Sequence, residues 1–436
     1  MTDAQIIELI KREVVPAVGC TEPAAVALCT AYAAEALGCR PDAVSVRLSG
    51  NMLKNAMGVG IPGTGMTGLP IAVALGAIAG KSGNGLELLK DSTPEAVAEA
   101  RAFIADGRVE IGLTEDSDEI LYIEVVCSAG EARARAVIAR EHTRLVLLEG
   151  PCAEAYHLSE SESGTGGESA SIPGANPAGE GEELTLKRVY DFAVSVPLED
   201  IEFIDEARRL NEAAAQEALK GNYGHELGKT LSRPLGKGIF GDTVFSHIIS
   251  ATSSACDARM AGAMIPVMSN SGSGNQGIAA TLPVVVFAKE NHNTREELLR
   301  ALVLSHLTAI YIKQSLGRLS ALCGCVVAST GSSCGLTYLM GGGYGQVAAS
   351  VKNMIANLAG MVCDGAKPSC ALKLSSGVST AVLSAMLAVQ NHSVSSTEGL
   401  IEDDVDCCIH NMTRLGSVGM RETDKMVLDI MTHKKV

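Results

Sequence analysis

The chain has 436 residues, 47% of them hydrophobic and 19% charged, which is enough for more than one domain and a large core. Aromatics are only 3% and Trp is absent, so Ala, Val, Leu, Ile, Met and Cys must fill that core, which suits closely packed helices better than an aromatic β-sandwich. A net charge of −15 repels phosphate backbones and anionic lipid, and few aromatics leave few stacking platforms, so no nucleic acid and no membrane is expected as a partner.

Residues 2–38 read as two helices. The first, in "MTDAQIIELIKREVV", is amphipathic and carries acids where a signal peptide would have a basic region and an apolar run. The expected location is therefore cytoplasmic and reducing, and the 13 cysteines serve as core fillers, metal ligands or nucleophiles rather than staples. The second helix starts at "CTEPAAVAL", where Thr21 can cap, Glu22 suits the positive helix end and Pro23 suits the first turn. Cys20 then stands just before a helix N-terminus, where a thiolate is favoured. "AVSVRLSG" (43–50) alternates like a strand, and the Gly-rich "SGNMLKNAMGVGIPGTGMTG" follows it. "LPIAVALGAIAG" and "STPEAVAEARAFIADG" read as helices. "RVEIGLTE", "EILYIEVVCSAG", "EARARAVIAREH" and "TRLVLLEG" then alternate between turn residues and predict an antiparallel meander.

This divides the chain into an α+β domain over 1–157, a Gly/Ser/Glu-rich linker or loop over 158–183, and a mainly α-helical domain over 184–436. No internal repeat is visible, and no segment reads as a spanning helix. The apolar runs are about 12 residues long, short of the ~20 a bilayer requires. "ALCGCVVASTGSSCGLTYLM" is uncharged but loaded with Gly, Ser and Cys.

Two stretches match a bare G-x-G-x-x-G pattern, at Gly58, Gly60 and Gly63 and at Gly272, Gly274 and Gly277. Neither has the βαβ context of a dinucleotide site, and Pro62 stands where the helix should wind. The second, "MSNSGSGNQG", feeds an apolar helix. A Gly-rich turn at a helix N-terminus offers N–H groups to an anion. Ser269, Asn270, Ser271, Ser273, Asn275 and Gln276 add short polar side chains, a set that suits a small carboxylate ligand. Ser49, Asn51, Lys54 and Asn55 follow a strand end, a common place for substrate contacts.

Most cysteines have no spaced partner, so Cys29, Cys39, Cys127, Cys152, Cys256, Cys407 and Cys408 default to packing. "ALCGCVVASTGSSCG" and "MVCDGAKPSC" are different. Neither contains C-x-x-C or His, so a structural zinc site fits poorly. Three thiolates holding an iron–sulfur cluster fit better, and structural thiols are the competing reading. A cluster held by only three leaves one iron open as a Lewis acid.

Taken together, "GCTEPAAVAL", "SGNMLKNAMGVGIPGT", "SNSGSGNQG" and "VCDGAKPSCALKL" resemble the L-cysteine desulfidase proteins, which are related to the α-chain-like domain of the iron–sulfur L-serine dehydratases. The resemblance spans essentially the whole chain. It implies a [4Fe-4S] cluster on three cysteines spaced by 40 and then 7 positions. Here 363 − 323 = 40 and 370 − 363 = 7, so the implied ligands are Cys323, Cys363 and Cys370. Cys325 misses the spacing by two, and it and Cys334 are read as helix packing. The family's G-C-T-E-P cysteine matches Cys20, implied to lie near the open iron as a resting ligand or acid/base.

The implied reaction is β-elimination of L-cysteine to sulfide, ammonia and pyruvate, without pyridoxal phosphate. Cys20 and Lys54 are the catalytic candidates, with Lys367 a rival base. Substrate binding falls to Ser49, Asn51, Asn55, Ser269, Asn270, Ser271, Ser273 and Asn275. L-Serine ammonia-lyase chemistry is the enzymatic alternative, and a cluster-based amino-acid or redox sensor the non-enzymatic one. A homodimer would suit a cytosolic enzyme.

Overall fold

The structure is a computed structural model that describes residues 1–90, 92–114, 119–153, 184–317 and 320–434. The linker expected over 158–183 lies outside the described residues. The fold is α+β, with a mixed sheet in the N-terminal region and helices after it.

The longer N-terminal elements are α1 (Asp3–Glu13), α2 (Thr21–Leu37), β1 (Ala43–Leu48), α3 (Gly50–Ala56), α4 (Leu69–Ile78), α5 (Pro94–Ala105), β2 (Val109–Leu113), β3 (Tyr122–Ala129), β4 (Ala132–Ala139) and β5 (Leu145–Glu149). The sheet order is β2-β1-β3-β4-β5. The meander holds for β3, β4 and β5. The expectation that all four late strands form it needs correction. β2 leaves the meander and pairs parallel with β1, from Val44↔Val109 to Leu48↔Leu113. The helix pair α4–α5 supplies the crossover that a parallel pair requires. Along β1, Val44, Val46 and Leu48 alternate into the core, on which α4 also packs, while their neighbours are less buried.

The second region is built from α6 (Leu186–Ser195), α7 (Asp205–Lys220), α8 (Val244–Met260), α9 (Gly274–Glu290), α10 (Arg295–Leu316), α11 (Gly324–Leu339), α12 (Tyr344–Leu358), α13 (Cys370–Val389), α14 (Val405–Arg414) and α15 (Arg421–His433). α11 is central, wrapped by α9, α10, α12 and α13. Its small residues permit this. A Cβ added at Gly331 would lie 2.3 Å from Ser305 O. Several of its buried hydroxyls are satisfied within the helix, Thr330 donating to Val326 O at 2.8 Å and Thr337 to Ser333 O at 2.7 Å, whereas Ser329 Oγ has no partner among the described residues.

α13 is long and apolar enough to cross a membrane by length and composition, which the sequence reading did not anticipate because its serines break up the apolar run. Half of its apolar window is buried against neighbouring helices, while Leu372, Leu383, Met386 and Leu387 are exposed.

Among the described residues two large hydrophobic cores form, beside one small cluster of Ala218, Ala258 and Ala263, and the chain ends exchange between the two large ones. Ile6, Leu9 and Ile10 of α1 belong to the large helical core. Leu428 of α15 packs against the smaller core under the sheet. The Pro16–Ala17 strand pairs with Val267–Met268, binding the start of the chain to the helical body.

Candidate functional site: a cysteine centre at converging helix starts

A short ladder assembles the centre. Cys323 N donates to Met361 O at 2.9 Å, and Cys363 N donates to Ala321 O at 2.6 Å. This places Cys323, at the N-cap of α11, beside Cys363, close enough for each thiol to act on the other. Cys370, the first residue of α13, lies within electrostatic reach of Cys363. Cys20 reaches Cys370 in the same way from the start of α2. The structure thus brings together the three implied ligands and Cys20.

Two further thiols join them. Cys325 Sγ lies 3.3 Å from Cys323 Sγ and 3.2 Å from Met361 Sδ. Cys256 of α8 interacts with both Cys370 and Cys323. Sequence reasoning assigned Cys256 to packing, because it lies on a different helix with no spacing to betray it. Cys29 is elsewhere, donating to Ile123 O and Ala136 O under the sheet. Cys334 is buried in the helical core, away from the centre.

Four helices of 16 residues or more start here: α2, α9, α11 and α13. Each contributes about half a positive charge at its N-terminus. The N-caps of α2 and α11 are Cys20 and Cys323, and neither side chain caps its helix. The cap of α2 is thus Cys20 rather than Thr21, which is its first helical residue. Ser, Thr, Asp and Asn are the usual cap residues, so cysteine at both places leaves the thiols available for something else.

The expectation of a favoured thiolate at Cys20 is overturned for the protein alone. Burial pushes its thiol up to about 12, against the opposing pull of Arg259. Cys323 is raised by its contact with Cys325 and by burial, Cys363 by Cys323 and by burial, and Cys370 chiefly by burial. At neutral pH these are thiols until a cation arrives.

Positive side chains surround the group. Arg259 of α8, 5% exposed, donates to Gly19 O at 2.9 Å, Cys20 Sγ at 3.6 Å and Asn275 Oδ1 at 3.1 Å. It therefore ties the Cys20 segment to the start of α9. It was not recognisable in "ACDARMAG", which matches no motif. Lys373 donates to Val362 O at 2.7 Å and pairs with Asp364. Burial alone would raise the Asp364 carboxyl, but Lys367 and Lys373 bond to it and hold it at about 2. Lys367 Nζ also donates to Asp364 O at 2.7 Å and Gly365 O at 3.2 Å. It is spent on the turn, which disfavours it as a base.

The polar loops divide in the same manner. Ser269 Oγ donates to Val15 O at 2.7 Å. Asn270 Nδ2 donates to His306 Nδ1 at 3.0 Å and to His306 O at 3.1 Å. Ser271 Oγ donates to Asn270 Oδ1 at 2.9 Å, and Ser273 caps α9 by accepting from Gln276 N at 3.4 Å. These four build the loop. Asn275 meets Arg259, and Gln276 is 4% exposed against Gly324, next to Cys323. Gln276 Oε1 and Arg259 Nε are buried without hydrogen-bond partners, as is Asn51 Oδ1. Such orphans mark a place for a ligand.

On the other side, Ser49 Oγ donates to Ile120 O at 2.8 Å, and Asn51, Lys54 and Asn55 lie on α3. Lys54 is buried, pairs with Asp424 of α15, and its charge acts on Cys363. A cavity of about 210 Å³ is lined by Ser49, Asn51, Lys54, Glu119, Asp424 and Lys425, among others. Among the described residues, no three Cys, His, Asp or Glu side chains could share one metal ion. A cluster makes a different demand, because its thiolates bind separate irons and need not converge on one point.

Residues 83–429 match the family model described as serine dehydratase alpha chain. A UPF0597 protein of Bacteroides thetaiotaomicron is 64% identical over 433 residues, covering 99% of this chain and 98% of the relative. One from Parabacteroides distasonis is 56% identical over 436 residues, with 99% and 98% covered. One from Oleidesulfovibrio alaskensis is 48% identical over 432 residues, with the same coverage.

Proposed function

The chain belongs to the serine dehydratase alpha chain family, and from that premise we propose that it is an iron–sulfur-dependent lyase acting on L-cysteine, with sulfide, ammonia and pyruvate as products. The observation that carries this reading is the gathering of Cys323, Cys363 and Cys370 where long helices begin. Thiols at positive helix ends, with orphaned Gln276 Oε1 and Arg259 Nε beside them, fit a [4Fe-4S] cluster on those three residues. When bound, the cluster supplies an iron without a protein ligand, a Lewis acid for charge on the departing sulfur. Pyridoxal phosphate has no part in this reading.

The remaining work belongs to side chains. The N-terminus of α9 and Lys54 attract the substrate carboxylate. Asn51 Oδ1 and Gln276 Oε1, acceptors without partners, take hydrogens of the α-ammonium. Asn55 and Asn275 flank these two groups, while Ser49, Ser269, Asn270, Ser271 and Ser273 hold the loops in shape. Cys20 takes the α-proton as the thiolate left after its own proton has passed to solvent, a loss that the incoming ammonium and Arg259 favour against the effect of burial. The C–H electron pair forms the Cα=Cβ bond, and the C–S pair leaves with sulfur. Water then converts the released 2-aminoacrylate to pyruvate and ammonia.

L-Serine is the second reading, favoured by the family's own description. Protein reconstituted anaerobically with iron and sulfide should release pyruvate with a higher kcat/KM from cysteine than from serine. The reverse order selects the serine reading, and no pyruvate from either rejects the lyase and favours a sensor. Cys363→Ser is expected to lose iron and activity together, whereas Cys325→Ser should keep both.

A further inference from the structure

We propose that the C-terminal helix α15 is part of this site. Asp424 is the positioning residue of Lys54, and α15 walls the cavity through which a small amino acid approaches the cysteine centre. The inference rests on the reading of that centre as the place of reaction.

Lys54 is 2% exposed, among the largest fully buried side chains of the protein. Its ammonium is bonded to the Asp424 carboxylate, a residue 370 positions away. A buried ammonium requires such a partner, since removing one member of a buried pair leaves the other charge uncompensated. Cys363 faces the same ammonium from the turn before α13. Glu119 and Lys425 add charges at the cavity, held by Arg140 at 3.0 Å and by Glu422 at 2.7 Å.

The way α15 is attached is the second argument. None of its residues is fully buried. Its Met426 and Ile430 are 65% and 59% exposed, so the helix does not dock by hiding an apolar stripe. Asp424 and Leu428 make the contact instead. Leu428 seats on Gly50, where an added Cβ would come within 2.5 Å of Leu428 Cδ2. One side of the cavity is therefore α3, which carries Asn51 and Lys54, and the other is α15.

The test uses the reconstituted holoenzyme. Asp424→Asn should lower kcat about tenfold or more, with KM changed less than about threefold and iron content unaltered. Asp424→Glu should restore most of kcat, and Asp429→Asn, exposed on the same helix and outside the cavity lining, should change neither constant. A second readout is independent of turnover. Acetic anhydride labelling at pH 8, read by mass spectrometry, should modify Lys54 about tenfold faster in Asp424→Asn than in the parent. Unchanged labelling, or kcat kept within about twofold, overturns the proposal. Should the parent protein prove inactive on both amino acids, the lyase reading fails, while the labelling still decides the role of Asp424. If Asp424→Asn does not fold, Leu428→Ala loosens the wall without altering charge. It should raise both KM and Lys54 labelling, and unchanged labelling there also overturns the proposal.

Discussion

His306 is fully buried between Asn270 and Thr281, and burial lowers its imidazole to about 3. Its tautomer follows from its neighbours. Asn270 donates to Nδ1, and Thr281 Oγ1 already donates to Gly277 O at 2.7 Å, so Nε2–H must donate to Thr281. The ring thereby fixes Asn270, and with it the loop that starts α9. Below the ordinary value of 6.5, the unfolded chain binds a proton that the folded ring refuses. The stabilisation is therefore complete above pH 6.5 and is lost as pH falls toward 3. The slope approaches about 1.4 kcal/mol per pH unit for one such group. In urea unfolding between pH 7 and 4, His306→Gln should lose less stability on acidification than the parent. An equal pH slope in both would remove His306 as the cause. Legibility at this scale was uneven. Cys363 and Cys370 lie in one turn, and their spacing could be read. Cys256, Arg259 and Asp424 reach the site only through tertiary packing, which leaves no local period in the sequence.

The turn between Met361 and Cys370 shows why elements, not residues alone, make the site. Gly365 has φ +88°, and a Cβ there would lie 2.1 Å from Lys54 O. The turn is thus pressed against α3 at a point where only glycine fits. Lys367 ties it from within, and Lys373 of α13 ties it from the next turn of chain. Gly365→Ala adds strain and a backbone clash, together about 1–3 kcal/mol against the turn. Iron bound per chain after reconstitution should fall several-fold, while far-UV circular dichroism stays that of the parent. Full iron retention would show that the turn tolerates displacement. The seven-residue spacing of Cys363 and Cys370 was visible in the sequence, as was the mainly helical character of the region around it. The parallel pairing of β1 with β2 was not, because an alternating strand shows which face is buried but not which neighbour it chooses.

Across the whole molecule, the cysteine centre sits where the two cores meet and the two chain ends cross. α1 reads from sequence as an amphipathic helix, yet nothing in its pattern says that Ile6, Leu9 and Ile10 insert among helices that begin at Leu186, 176 residues after Ile10 (186 − 10 = 176). Ile10→Ala should therefore destabilise the large helical core by about 2–5 kcal/mol. Urea unfolding, followed by the exposure of Cys334 to a thiol reagent, measures this. A change confined to the sheet region would contradict the assignment of α1.

Because the ends are exchanged, time of synthesis becomes a property of the site. Cys20 is made 350 residues before Cys370, since 370 − 20 = 350. At a translation rate of about 5–20 residues per second, the first thiol waits roughly 20 to 70 s for its companions. Asp424 comes later still. The centre cannot close before Cys370 is made, so on the proposed reading loading with iron follows the synthesis of almost the whole polypeptide, and Cys20 must stay a free thiol until then.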